Sequence, residues 1–275
     1  MVTLVGPDDP GYPVGLGDLE DPPPIWVAGE LRPEPGVAVV GTRRCTRYGM
    51  GLSDSFGRAI SDAGWTVVSG LARGIDTAAH RGCLEARGHA VAVLGSGVDV
   101  CYPAENRPIH ERILATGGAI VSEYPPGTPP DRWRFPARNR IIAAMSAAVV
   151  VVEANETGGA LITARLGAEI GRPVFVVPGD VDRPASAGCN RLIKDGAHPV
   201  LGPHDLIAEL ELILGPAPVA STVEPVDVPE GGVELDDLAE LWGVSPAEAM
   251  ARLGRLELAG EVRRDGHTVY PGGPR

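Results

Sequence analysis

Between Arg132 and Arg140 the sequence reads RWRFPARNR, with four arginines, a tryptophan and a phenylalanine packed into a chain whose formal net charge is -12. Those residue types suit one kind of ligand. A guanidinium presents a planar fork of donors to phosphate oxygens, and an unpaired base stacks on an aromatic ring for about 1–3 kcal/mol. Pro136 fixes the chain at the first turn of a helix expected over 137–146. Arg138, Asn139 and Arg140 then fall at its N-terminus, where free N–H groups and the helix dipole favour an anion. Of the two rings, Phe135 is expected to stack and Trp133 to pack inward.

Further groups of the same chemistry lie elsewhere. GTRRCTRYG follows an apolar run and precedes a helical stretch, the place where backbone amides attract phosphate. Arg43, two residues after Gly41, is expected to point into the mouth of a site. TGGALITA places Gly158 and Gly159 at a helix entry, with Thr163 one turn on. The glycine pair suits an anion nest and close helix-to-sheet packing equally well. Lys194, in NRLIKDGAH, is the only lysine of the chain, and its spacing leaves open a phosphate contact or an accident of arginine-rich composition.

Enzymatic chemistry has less support. Ser69, Asp76 and His80 have the types of a triad, but Asp76 and His80 stand one helical turn apart, a spacing for local pairing or capping. There is no GxSxG elbow, no HExxH and no PGGxGTxxE phosphoribohydrolase signature. The first glycine loop is neither GxGxxG nor GxxxxGK[ST], which disfavours an ordinary dinucleotide or Walker-type site. Glu123 and Glu153 end what read as adjacent strands and would make a carboxylate pair, although partnership with nearby arginines suits them better. Cys45, Cys83, Cys101 and Cys189 lie far apart with no CxxC, and the histidines are scattered. No metal and no cofactor is assigned.

The elements that must hold these residues alternate along the chain. Apolar, β-branched runs at 37–41, 66–69, 90–95, 119–123, 148–154, 173–179 and 198–201 read as strands covered on both faces. Helical stretches are expected at 49–63, 76–87, 105–116, 137–146, 159–170, 189–195 and 204–214. Alternation of this kind predicts an α/β fold, a Rossmann-like, doubly wound, mostly parallel sheet, with ligands bound at the carboxyl ends of its strands. Six of those ends carry the unusual loops, on one rim.

Residues 1–36 read as an extended lead-in with one strand, IWVAG, and residues 37–214 as the Rossmann-like domain. Residues 215–232, rich in Pro, Gly and Val, read as a linker. Residues 233–275 fit a small C-terminal winged helix, with a helix starting after Ser245 and a hairpin turning at Asp265-Gly266. The net charge divides along these lines as -6 before residue 37, zero from 37 to 214, and -6 beyond. The pI therefore says little about what the central domain binds. No apolar run reaches the ~18 residues of a membrane span, and no basic, apolar leader opens the sequence, which makes a cytoplasmic protein the expectation.

GTRRCTRYG, SGLARGIDTAAHRG, YPAEN, FPARNRIIAAMS, VVVVEANETGGALITARLGAEIGRPVFVVPG and GCNRLIKDGA, taken together and in this order, resemble the DNA-processing protein A (DprA, also called Smf) family over roughly residues 8–210. The tail is similar to the winged helix of many members. The resemblance implies a dimeric, sequence-nonspecific single-stranded DNA-binding protein of natural transformation. It implies a protein that shields incoming DNA and loads the RecA recombinase, without catalytic activity. By motif position it implies a pocket of Arg43, Arg132, Phe135, Arg138, Arg140 and Lys194, lined also by Gly158, Gly159 and Thr163. Many members carry a helical domain before the core, for which this chain has only 36 residues. The acidic tail suits protein contact better than duplex binding. The competing expectation is a nucleotide-hydrolysing enzyme of the phosphoribohydrolase kind, and a third is a transcription factor acting through the winged helix.

Overall fold

Val37 to Val40 are all buried, as the central strand of a sheet covered on both faces requires. The structure is a computed structural model and describes residues 2–217, 228–229, 231–242, 244–246, 249–250, 253–254, 256 and 262–271. It separates into two compact units, Met1–Pro218 and Val219–Arg275.

The first unit is built on a nine-stranded sheet of order β1-β2-β6-β5-β4-β3-β7-β8-β9. Its strands are β1 (Val2–Val5), β2 (Ile25–Gly29), β3 (Gly36–Val40), β4 (Val67–Ser69), β5 (Ala90–Leu94), β6 (Ala119–Ser122), β7 (Ser146–Val151), β8 (Val174–Val176) and β9 (His198–Pro199). From β6 across to β9 every pairing is parallel, whereas β1 and β2 are antiparallel additions at one edge. The first 36 residues thus place two strands in the sheet, where the sequence offered only IWVAG.

Alternate residues of each strand serve different layers, because successive side chains point to opposite faces. Val37, Val39, Val67, Ala92 and Val150 pack with Phe56 and Ile60 of α1 (Arg47–Asp62), Ile75 and Ala79 of α2 (Ile75–Glu85), Ile113 of α3 (Arg107–Ala115) and Leu206 of α7 (Pro203–Leu214). Ala38, Val40, Val68, Val93 and Val149 pack on the other face with Ile141 of α4 (Arg134–Ala144), Leu161 of α5 (Gly159–Glu169) and Cys189 of α6 (Pro184–Lys194).

Two helices begin three or more residues earlier than the periodicity indicated. α4 opens at Arg134 instead of 137, because a proline at the third helical position lacks only an N–H that has no intrahelical partner in the first turn. α6 opens at Pro184 instead of 189, for the same reason.

The second unit contains a three-stranded sheet, β10 (Val233–Glu234), β12 (Thr268–Pro271) and β11 (Val262–Asp265) in that order, with α8 (Leu238–Trp242). Val228, Leu238, Ala249, Leu253, Val262 and Val269 form its core. Asp265 pairs with Thr268, so Gly266, at φ 64°, and His267 make the two-residue turn of the hairpin. Most of the expected linker and much of the helix after Ser245 lie outside the described residues.

Candidate nucleic-acid interface

The chain builds β4, β5 and β6 on one side of β3, then β7, β8 and β9 on the other. Crossover loops leave β3 and β7 in opposite directions, opening a crevice at their carboxyl ends. A cleft of about 950 Å³ occupies this point. Its walls are the loops after β3 and β7, the start of α5, residues of α4, Ala72 and Asp76 beyond β4, and Tyr102 beyond β5. The loop after β8, one of the six decorated ends, takes no part. Five arginines, Arg43, Arg44, Arg132, Arg138 and Arg165, line the cleft against two carboxylates, Asp76 and Glu156. The overall acidity of the chain therefore stops at its rim.

Phe135 is the half-buried ring of this cleft. Tyr102, from the loop after β5, stacks against it with centroids 5.4 Å apart and planes inclined at 28°. The Arg43 guanidinium carbon lies 5.1 Å from the same ring centroid, within cation–π range. Arg43 and Arg132 are exposed, and among the described residues neither is paired with a carboxylate. Tyr102, Arg44 and Arg165 were missed as site residues. Tyr102 had a signal, since YPAEN follows the third expected strand, but one tyrosine in one loop does not reveal its partner ring.

The Arg43 loop is anchored from beneath by Glu153. Its carboxylate accepts the Thr46 N–H at 2.8 Å and the Thr46 hydroxyl at 2.5 Å, while the Thr46 hydroxyl oxygen accepts the Gly49 N–H and caps α1. The backbone joins the same points, Thr42 N–H donating to the Glu153 carbonyl at 2.7 Å. The N-terminus of α1, where a Rossmann sheet usually receives phosphate, is thus filled by the chain's own carboxylate. Nor do Glu123 and Glu153 form the carboxylate pair that adjacent strands would give. β5, β4 and β3 stand between β6 and β7, and Glu123 is ion-paired with Arg140.

The entry to α5 differs from that of α1. Gly158 and Gly159 line the cleft; a Cβ at either position would meet nothing nearer than 3.8 Å and 3.6 Å, ordinary contact distances. Neither is among the positive-φ glycines. Close packing therefore does not explain the pair. The carbonyl of Gly159 is held from below by the Asn139 amide at 3.1 Å and the Thr163 hydroxyl at 3.3 Å, both side chains being buried.

The RNR arginines diverge. Starting α4 at Arg134 places Arg138 and Arg140 in its second turn instead of at its N-terminus. Arg138 is buried, donating to the Gly70 carbonyl at 2.8 Å and to the Val93 carbonyl. Burial pulls its pKa down to about 10 despite the favourable charge of Asp76. Burial raises the pKa of Asp76, against the opposing charge of Arg138. Arg140 is absent from the cleft lining, bound to Glu123 and to the Asp21 carbonyl. Lys194 is exposed at the end of α6 and does not line the cleft either. Trp133, expected to pack inward, is 59% exposed, because it stands at the N-cap of α4, two residues and some 200° around the helix from Phe135.

A family model described as DNA recombination-mediator protein A matches residues 3–211, and a second, the DprA winged helix domain, matches residues 230–266. The chain belongs to the DNA recombination-mediator protein A family. Among relatives, the protein Smf of Synechocystis sp. is 45% identical over 75% of this chain and 54% of its own length. The protein Smf of Escherichia coli is 36% identical over 98% of this chain and 76% of its own. The match therefore spans about half of the first relative and three quarters of the second. The DNA processing protein A structure from Streptococcus pneumoniae superposes with TM-score 0.70 at 39% identity, covering 75% of this chain and 74% of that one. The Helicobacter pylori family member, studied for its single-stranded DNA binding mode, superposes with TM-score 0.68 at 28% identity over 76% and 95%.

Proposed function

We propose that this family member binds single-stranded DNA without sequence preference in the switch-point cleft, protects it, and helps load RecA onto it during natural transformation. The observation that carries the reading is the pairing of two opposed walls. Arg43, Arg132 and the half-buried Phe135 share the cleft with a glycine edge at which a Cβ would make only ordinary contacts, so that neither packing nor backbone angle requires glycine. A phosphate approaching that edge meets the N-terminus of α5, while a base stacks beside Phe135. The single-stranded DNA binding studied in the Helicobacter pylori relative supports the same partner.

No catalytic role is proposed. Of the carboxylates at the cleft, Glu153 is engaged by Thr46, Asp76 is buried near Arg138, and Glu156 stands exposed on the lining, an arrangement that favours the binding reading over the nucleotide-hydrolysing alternative. The protein is proposed to act as a homodimer in the cytoplasm, with the acidic winged helix serving protein contact. Among the described residues no helix is long and apolar enough to cross a membrane.

The test is a salt titration of binding to an oligonucleotide, single-stranded and then annealed to its complement. Preference for the single strand, with affinity falling steeply as salt rises, is expected. Equal affinity for the two forms, or indifference to salt, overturns the proposal.

A further inference from the structure

Trp133 leaves 59% of its surface open, yet it is not a loose side chain. Its indole N–H donates to Asp131 at 2.9 Å, and its ring meets Tyr124 edge to face with centroids 6.0 Å apart and planes at 89°. The Arg134 guanidinium carbon lies 5.2 Å from the Trp133 centroid and 4.8 Å from that of Tyr124. Arg134 is itself fixed, donating to the Pro129 carbonyl at 2.5 Å. A large aromatic held from three sides and still open to water has already lost the rotamer freedom that binding would otherwise cost.

Its position gives the partner. Residues two apart on a helix point to different sides, so Phe135 enters the cleft while Trp133 stands outside it, across the N-terminus of α4. Arg132, exposed and on the cleft lining, directly precedes it. A polyanion leaving the cleft over this helix end passes Arg132 and the positive end of the α4 dipole before reaching the indole. We propose that Trp133 is a second stacking platform, which takes an unpaired base of the strand where it runs outside the cleft. The proposal rests on the single-stranded DNA reading above, and it selects against a duplex, whose bases offer no free face.

The experiment measures affinity of the full chain for an oligothymidine length series, for the wild type, Phe135→Ala, Trp133→Ala and Trp133→Phe. Trp133→Ala is expected to bind the shortest oligomers as the wild type does. It should lose roughly five- to a hundredfold for longer ones, with an unchanged salt slope and recovery in Trp133→Phe. Long oligomers should also quench tryptophan fluorescence in the wild type but not in Trp133→Phe. If Trp133→Ala follows the wild type at every length while Phe135→Ala binds weakly, the second platform is wrong and the cleft stands. If the wild type shows no preference for single strands, both fail together.

Discussion

Gly49 is bare where Glu153 needs space: a Cβ at position 49 would sit 2.3 Å from the Glu153 carboxyl carbon. The glycine in the first turn of α1 is the counterpart of a carboxylate seated on that helix's N-terminus. The two residues, over a hundred apart in sequence, fix the loop that carries Arg43.

This coupling is measurable. Gly49→Ala would relieve a helix of its glycine, a gain of about 1 kcal/mol in an open site, but here it is expected to destabilise by about 1–3 kcal/mol through displacement of the carboxylate. In a Glu153→Ala background the same substitution should cost much less. Urea denaturation of the four proteins of this cycle reads the interaction directly; strictly additive effects would show that the contact is not what sets the glycine.

Arg138 and Arg43 should separate stability from binding. Removing Arg138 takes the donor from the Gly70 and Val93 carbonyls and a favourable charge from buried Asp76, so Arg138→Ala is expected to lower stability by about 3–5 kcal/mol. Arg43→Ala, on an exposed side chain, should leave the melting temperature within error and weaken DNA binding at every sequence. The slope of log affinity against log salt should fall by about one phosphate contact. Thermal melts and salt titrations of both variants decide this.

Arg140→Ala is expected to weaken DNA binding less than Arg43→Ala. Arg140 is paired with Glu123 outside the cleft, so its charge is already compensated. An equal loss in the two variants would place Arg140 on the path of the strand.

His80 supplies a pH test. Burial, reinforced by the positive charge of Arg138, lowers its pKa to about 3, below the ordinary value of about 6.5 in an unfolded chain. The unfolded state therefore takes up a proton first, and stability falls as pH drops from the unfolded value towards the folded one. Asp76, with its raised folded pKa, acts in the opposite sense. His80→Leu should make stability fall less steeply between about pH 6 and pH 3, by up to ~1.4 kcal/mol per pH unit. Denaturant midpoints at a series of pH values compare the two proteins.

How much of this was legible depended on which physical signal each residue leaves. The parallel strands were readable because strands such as GVAVV and AVAVL are buried on both faces, and the decorated ends followed from them. β1 was not, since VTLV is an exposed edge strand whose pairing with β2 leaves no pattern of its own. Among the arginines, sequence gave type and neighbourhood but not helix phase. Arg138, in the second turn of α4, points inward to the Gly70 and Val93 carbonyls. The same phase sent Trp133 outward. The glycine pair at the α5 entry was ambiguous because only the atoms around it show whether a Cβ would fit. Tyr102 became a site residue only when two distant loops met.

The central claim, that an unpaired base lies beside Phe135 in the switch-point cleft, is tested most directly by photocrosslinking. An oligothymidine carrying one 5-iododeoxyuridine, irradiated in complex with the full chain and digested with trypsin, should attach to the peptide bearing Phe135 or to that bearing Tyr102, and Phe135→Ala should abolish the first adduct. Adducts confined to residues 233–271, or unaffected in yield and position by Phe135→Ala, would contradict the account.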